Sequence, residues 1–251
     1  MRIKKIVIAL LMSIYLAHSY GKEQPTDIAT NKKAVSKKEV SGTFILASDY
    51  IWRGYSQTTN KPAFQGDLNI MIPKSPIKGL YTNLWFSNVR FLDENPEQRP
   101  YIEFDGSIGI SNEINKELSY DLSFHRYQYP GTTHFSYNEL TGQIQIFFLS
   151  YFIALTNNVY DTGGKAIYNN LGFDLDIPPK FLLNLNNVHF KGGIGRHQLP
   201  LVSGSPSYSD YNLELNKSIK NFVFALLWTE VSEHSEPFGG SQVTFSVSAT
   251  F

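Results

Sequence analysis

Ten carboxylates recur at positions flanked by alternating apolar residues: Asp49, Asp67, Glu103, Asp105, Asp121, Glu139, Asp174, Asp176, Asp210 and Glu214. Gln65 shares their parity, and only Arg53 and Lys191 clearly bring the opposite charge to it. A ladder of carboxylates lining an aqueous lumen attracts cations and repels anions. Packed instead against Arg53, Lys191 and the Asn, Gln, Ser and Tyr donors between them, the same acids would fill an interior that conducts nothing. A hydrolase would need a nucleophile, a His base and an orienting polar group within hydrogen-bond reach. His125, His134, His197 and His234 fall near one predicted end of the molecule, with Ser123, Ser136 and Ser203 in the same region. No Gly-x-Ser-x-Gly elbow and no His-Glu-x-x-His pair occurs, so these histidines read as loop and rim residues. Cysteine is absent, which removes disulfides, thiol catalysis and Cys-type metal sites together. No catalytic residue, metal or cofactor is expected.

The elements that position the acids are strands, because apolar side chains recur at every second residue. The first is expected over about Thr43 to Arg53, with Phe44, Leu46, Tyr50 and Trp52 on one parity and Asp49 and Arg53 on the other. Asp49 and Arg53 would then lie about 13 Å apart at a rise of roughly 3.3 Å per residue. Arg53 is therefore expected to reach carboxylates on adjacent strands near the mouth, as a staple of the first loop or as a constriction arginine. The second strand, about Ala63 to Ile72, sets Phe64, Leu68, Ile70 and Ile72 against Gln65, Asp67 and Asn69. Further strands follow at Leu80 to Asn88, around Ile102 to Ile110, around Leu118 to His125, and around Glu139 to Ile146. Leu149 to Thr156 makes another, reached through an unconventional Phe147-Phe148 turn. The pattern continues around Ile167 to Asp176, Val188 to Ile194, Asp210 to Asn216 and Phe222 to Thr229. The last strand alternates Val243, Phe245, Val247, Ala249 and Phe251 with Thr244, Ser246, Ser248 and Thr250.

Twelve such strands, near the 9–11 residues that a tilted membrane strand requires, predict an all-β fold. Strands cross hydrocarbon only where no edge is left open, so the expected architecture is a transmembrane antiparallel up-and-down β-barrel over residues 42–251. The terminal run, with Phe245, Val247 and Phe251, reads as an assembly signal for barrel-assembly machinery. Residues 1–19 read as a signal peptide: Arg2, Lys4 and Lys5 precede an apolar stretch from Ile6 to Leu16 and then Ala17-His18-Ser19. Residues 20–41, with five lysines among small polar residues, read as a flexible periplasmic leader. Without residues 1–19, which hold three basic and no acidic groups, the chain keeps 19 Lys+Arg against 22 Asp+Glu, a net of −3. That charge offers no basic field for nucleic acid.

An even strand number places both ends on one side, and connection length assigns the sides. Gly54–Pro62, Phe91–Pro100, Tyr127–His134, Asn157–Lys165, Gln198–Ser209 and Ser232–Gly240 are expected outside the cell. Asn112–Lys116 and Lys217–Asn221 are expected in the periplasm, as is the longer Pro178–Asn187, whose Phe181, Leu182 and Leu183 could dip into the interface. Tyr50, Tyr55, Tyr127, Tyr129, Phe135, Tyr137 and Tyr160 read as part of an aromatic girdle at the membrane boundary.

Ser48-Asp49-Tyr50-Ile51-Trp52-Arg53-Gly54-Tyr55-Ser56-Gln57-Thr58, followed by Pro62-Ala63-Phe64-Gln65-Gly66, resembles the opening signature of the proteobacterial TorF family of porins. Further points of likeness are Gly79-Leu80-Tyr81 leading to Trp85, Ser87-Asn88-Val89, Tyr129-Pro130-Gly131, Tyr137-Asn138-Glu139 and Phe245-Ser246-Val247. The resemblance implies an outer-membrane barrel with a channel role, and it brings no substrate and no catalytic residue. The sequence thus points to a porin-like channel for small hydrophilic solutes, cation-preferring, in contact with outer-membrane lipids. Its alternatives are a side-chain-filled structural or adhesive barrel and, third, an outer-membrane lipid hydrolase. Proteolysis of intact cells should nick Phe91–Pro100 or Gln198–Ser209 and spare Asn112–Lys116 and Lys217–Asn221. The reverse cleavage pattern would overturn the orientation.

Overall fold

Each amphipathic strand must bury its polar backbone in partners on both sides, and a closed sheet is the arrangement that supplies them everywhere. The computed structural model describes residues 39–91, 99–132, 135–179, 185–234 and 238–251. The signal peptide, nearly all of the leader, most of the 91–100 loop, His134, and Phe181 with Leu182 and Leu183 lie outside the described residues. The strands are β1 (Val40–Ala47), β2 (Ile51–Trp52), β3 (Tyr55–Ser56), β4 (Ala63–Met71), β5 (Leu80–Asn88), β6 (Ile102–Glu113) and β7 (Leu118–Gln128). They continue as β8 (Tyr137–Ile146), β9 (Leu149–Thr156), β10 (Ala166–Ile177), β11 (Val188–Gln198), β12 (Tyr208–Ile219), β13 (Phe222–Val231) and β14 (Gln242–Thr250). β1 and β4–β14 form a closed barrel of twelve strands, each antiparallel to the next, in which β1 pairs with both β4 and β14. No helix among the described residues is long and apolar enough to cross a membrane.

Alternation sets the two surfaces. On β8, Tyr137, Glu139, Thr141, Gln143 and Gln145 are buried inside, whereas Leu140, Ile144 and Ile146 stand about half exposed on the outer wall. The outer wall repeats this in Phe44, Leu122, Leu171, Ile194, Leu213, Leu226 and Phe245. Inside, the consecutive strands β13, β14 and β1 carry no charge: Val223, Ala225, Leu227, Thr244, Ser246, Ser248 and Ile45 line that arc. Asp49 lies between β1 and β2, and the other nine acids stand on strands from β4 to β12.

The seam is closed to the final residue. Gly42 and Phe251 exchange backbone hydrogen bonds at 3.3 and 3.0 Å, and the hydroxyls of Thr43 and Thr250 meet at 3.1 Å. The Phe251 ring lies over Gly42, where an added Cβ would stand 2.4 Å from its Cζ, so only glycine admits the ring. Phe251, Phe44, Phe64 and Phe86 form a row on the outer wall, with successive centroids 5.7, 6.0 and 5.7 Å apart. Such aromatic pairs contribute about 0.5–1.5 kcal/mol each beyond burial. The β8–β9 connection is the two-residue Phe147-Phe148 turn expected from the sequence, with Phe147 at φ 54° and its N–H donated to Glu117 O at 2.8 Å.

The first strand departs from expectation: it leaves the wall after Ala47, not at Arg53. Ser48 makes the last contacts with β14, its N–H reaching Phe245 O at 2.8 Å and its Oγ accepting from Phe245 N at 3.0 Å. The chain then turns inward as the β2–β3 hairpin, so Tyr50 and Trp52 are buried inside the barrel and do not face lipid. Period-two alternation continues through a hairpin that has left the wall, which is why the pattern could not mark the departure.

Deleting Phe251, or replacing Phe245 by Asp, should leave export to the periplasm intact and reduce the heat-modifiable barrel recovered from outer-membrane fractions. Undiminished recovery would show that the terminal row is not needed for insertion.

Candidate functional site

The β2–β3 hairpin spans the lumen at the end where the long loops emerge. Ile51 pairs with Ser56 and Trp52 with Tyr55, leaving Arg53-Gly54 as a two-residue tip. Both tip residues have positive φ, 47° and 85°, the pattern of a type I′ turn. A Cβ on Gly54 would stand 2.3 Å from Val231 Cγ1 on the opposing wall, so the tip is seated against β12 and β13. The base is closed by Asp49, whose Oδ1 lies 2.6 Å from the hydroxyls of both Ser56 and Thr58. Burial pushes the Asp49 carboxyl up, and those hydrogen bonds pull against the shift.

Arg53 ends in a cage. Its Nη2 donates to Glu139 Oε2 at 2.7 Å, with both side chains 2% exposed. Glu139 stands on β8, five strands round the wall from β1, so the pair crosses the lumen and does not join adjacent strands as expected. The guanidinium carbon lies 4.3 Å from the ring centroids of both Trp52 and Tyr168. Nη1 is 3.4 Å from His197 Nε2, and Tyr127 donates its hydroxyl to Glu139 Oε2 at 3.0 Å. Burial opposes the positive charge, and the Glu139 carboxylate more than offsets it, so the guanidinium stays protonated.

The other acids face inward, each beside donors that are mostly neutral. Tyr129 donates to Glu103 at 2.8 Å, Tyr81 to Asp121 at 2.9 Å, Tyr168 to Asp210 at 3.1 Å and Asn216 to Glu214 at 2.5 Å. Asn83 donates to Asp67. Lys191 lies 3.8 Å from Asp174, and His189 Nδ1 lies 2.7 Å from Asp176. Asp105 and Gln65 point inward on β6 and β4. A neutral donor meets the hydrogen-bonding demand of a carboxylate without supplying a countercharge.

Exposure divides the lumen. Toward the loop end Gln65, Ser87, Glu103, Tyr127, Glu139, His197 and Asp210 are buried under the hairpin and its neighbours. Toward the turn end Asn69, Ser111, Asp121, Asp174, Asp176, His189 and Lys191 are partly exposed, although Gln145, Asn216 and Ser248 remain covered. Tyr50, Tyr127, Tyr129 and Tyr137 belong to the buried loop-end packing, so they do not form the lipid-facing girdle read from the sequence. Tyr127 and Tyr137 share the inward parity of His125 and Glu139 on β7 and β8, and Tyr50 is carried inside by the hairpin.

The Ser123 hydroxyl lies 2.8 Å from His125 Nε2 and 2.7 Å from Thr141 Oγ1, all three buried. His234 is exposed beside Glu230, Ser136 accepts from Tyr129 N, and Ser203 sits in a one-turn 3-10 segment. No cluster of three or more His, Asp or Glu able to hold a metal exists among the described residues. The sequence reading missed Trp52, Tyr168 and His197 as partners of Arg53. An x-Gly pair between two short apolar runs, Ile51-Trp52 and Tyr55, was the hairpin signal that would have located the tip.

Removing one partner of a buried ion pair strands the other charge. Glu139→Ala should therefore lower stability to urea by about 3–5 kcal/mol, and the double variant with Arg53→Ala should lose much less than the sum of the single losses. Tryptophan fluorescence during urea unfolding measures both, and strict additivity would show that the pair is uncoupled.

The barrel has counterparts among solved structures. The KdgM porin superposes with a TM-score of 0.51 at 11% identity, over 84% of this chain and 99% of the porin. A protein from a study of in-meso crystallization of membrane proteins gives 0.54 at 7% identity, over 84% and 83% of the two chains. The outer membrane protein OpdK from Pseudomonas aeruginosa gives 0.43 at 10% identity, over 85% and 67%. The first two share the fold. No curated protein matches the chain in sequence. Residues 31–251 match the bacterial protein family of unknown function called Gcw_chp, and the chain belongs to that family.

Proposed function

We propose that the protein is an outer-membrane channel of narrow bore for small hydrophilic solutes, preferring cations, with the β2–β3 hairpin as its constriction. The observation that carries this reading is the inward set of acids held mainly by Tyr, Asn, Ser and Thr donors, with Arg53 and Lys191 as the interior cations among the described residues. The apolar outer wall supports residence among outer-membrane lipids, and the strand alternation up to Phe251 supports insertion by barrel-assembly machinery. The KdgM porin's barrel and the resemblance to TorF porins support a channel role.

A second reading, a barrel filled by its own side chains, is favoured by the burial of the loop-end lumen. Twelve strands enclose much less room than the 16–18 of large porins. Hydrolysis draws only on the Ser123–His125 contact, which lies beneath that packing.

Reversal potentials in planar bilayers under a salt gradient should show cation preference, weakening toward 1 M salt as the screening length falls to about 3 Å. Neutralising Asp67, Glu103 and Asp105 together should lower that preference, because they stand on β4 and β6, whereas Arg53 meets Glu139 on β8 and Lys191 lies beside Asp174 on β10. Anion selectivity would refute the electrostatic reading, and absence of conductance would favour the filled barrel.

A further inference from the structure

The Arg53 cage is built in two halves that belong to different parts of the fold. Glu139, Tyr127, Tyr168 and His197 are fixed on β8, β7, β10 and β11, four strands of the closed wall. Trp52 and Arg53 are brought to them by a hairpin whose strands are two residues each. Without the hairpin, the wall would still present a buried carboxylate, a tyrosine hydroxyl already donated to it, an aromatic face and an imidazole nitrogen. Together these groups recognise a planar cation: bidentate or single N–H donation to the carboxylate, stacking on the ring, and a further acceptor at the side.

The tethered occupant fits this receptor incompletely. Arg53 Nε is buried with no hydrogen-bond partner, although all five guanidinium N–H groups are donors. Arg53 also holds φ at 47°, a left-handed conformation that a non-glycine residue adopts at a cost. Trp52 Nε1, beside it, is likewise buried without a partner. A free guanidinium carries neither the backbone strain nor the tether that fixes Nε.

We infer that the lumen wall around Glu139 is a binding site for small guanidinium-bearing solutes, and that Arg53 is its built-in, displaceable occupant. This rests on the channel reading for its physiological meaning: a solute that takes the cage releases the hairpin tip from the constriction. The recognition itself is a property of the wall and is measurable without transport.

The test uses the full-length barrel refolded in detergent, with methylguanidinium as the probe and methylammonium as the non-planar control. In Arg53→Ala the emptied cage should bind methylguanidinium in calorimetric titration, and the apparent melting temperature should rise with its concentration. Methylammonium should produce less of both effects. Adding Glu139→Gln should weaken methylguanidinium binding by roughly ten-fold or more, the scale of a lost hydrogen bond to a charged group. Arg53→Lys serves if the alanine variant does not assemble, since lysine keeps the charge but cannot stack flat on Tyr168. Absence of binding in the Arg53 variant that assembles, or equal binding with and without Glu139→Gln, would overturn the inference. Bilayer recordings of the same proteins separate the two readings. Binding without conductance would sink the channel while leaving the cage, and conductance without binding would do the reverse.

Discussion

Closure of the sheet is the constraint on which everything else in this molecule depends. An unpaired N–H or C=O in hydrocarbon costs several kcal/mol, so β1 and β14 must find each other, and they pair from Thr43–Thr250 to Ala47–Ser246. The chain meets this with the Gly42–Phe251 backbone bonds, the Thr43–Thr250 contact and the outer row of Phe251, Phe44, Phe64 and Phe86. Once the wall is closed, alternation obliges half of the side chains to point into a narrow interior, and their chemistry must be reconciled there.

The loop-end half resolves this by importing a hairpin. Trp52 and Tyr50 cover apolar wall positions such as Ile45, Ala47 and Ala63, while Arg53 carries its charge across to Glu139. A buried ion pair is a weak source of net stability, because desolvation consumes much of the Coulombic gain. Here stacking on Trp52 and Tyr168 adds to it, and the greater effect is geometric. One short hairpin is tied to strands on the far side of the barrel, which fixes where the lumen is narrow. The turn-end half carries no such insert among the described residues, and Asp121, Asp174 and Asp176 remain partly open to solvent there, although Glu214 is buried.

Most of the wall could be read from the sequence, since a period of two maps directly onto inside and outside. Leu80–Asn88 and Leu149–Thr156 have the expected bounds, and the Phe147-Phe148 turn is where the pattern breaks. What alternation cannot encode is a strand that leaves its sheet while keeping its period. Tyr50 and Trp52 have the parity of Phe44 and Leu46, yet they occupy the opposite environment, because Asp49 captures Ser56 and Thr58 and bends the chain inward. The cage was hidden for a related reason. Arg53, Glu139, Tyr168 and His197 lie on segments far apart in the chain, and only the circular order of strands brings them together.

The uncharged arc of β13, β14 and β1 gives the interior a direction across its width. Val223, Ala225, Leu227 and the hydroxyls of Thr244, Ser246 and Ser248 offer no fixed charge, while every inward-facing acid of the wall itself is set on strands from β4 to β12. Where those acids are ionised, such an arrangement would set a potential gradient perpendicular to the barrel axis. A dipolar molecule moving along the axis would turn its positive end toward the acidic side and its uncharged side toward β14. Under the proposed channel function, the barrel would sort passengers by the orientation of their dipole as well as by size and net charge, and two isomers of equal charge would travel it differently.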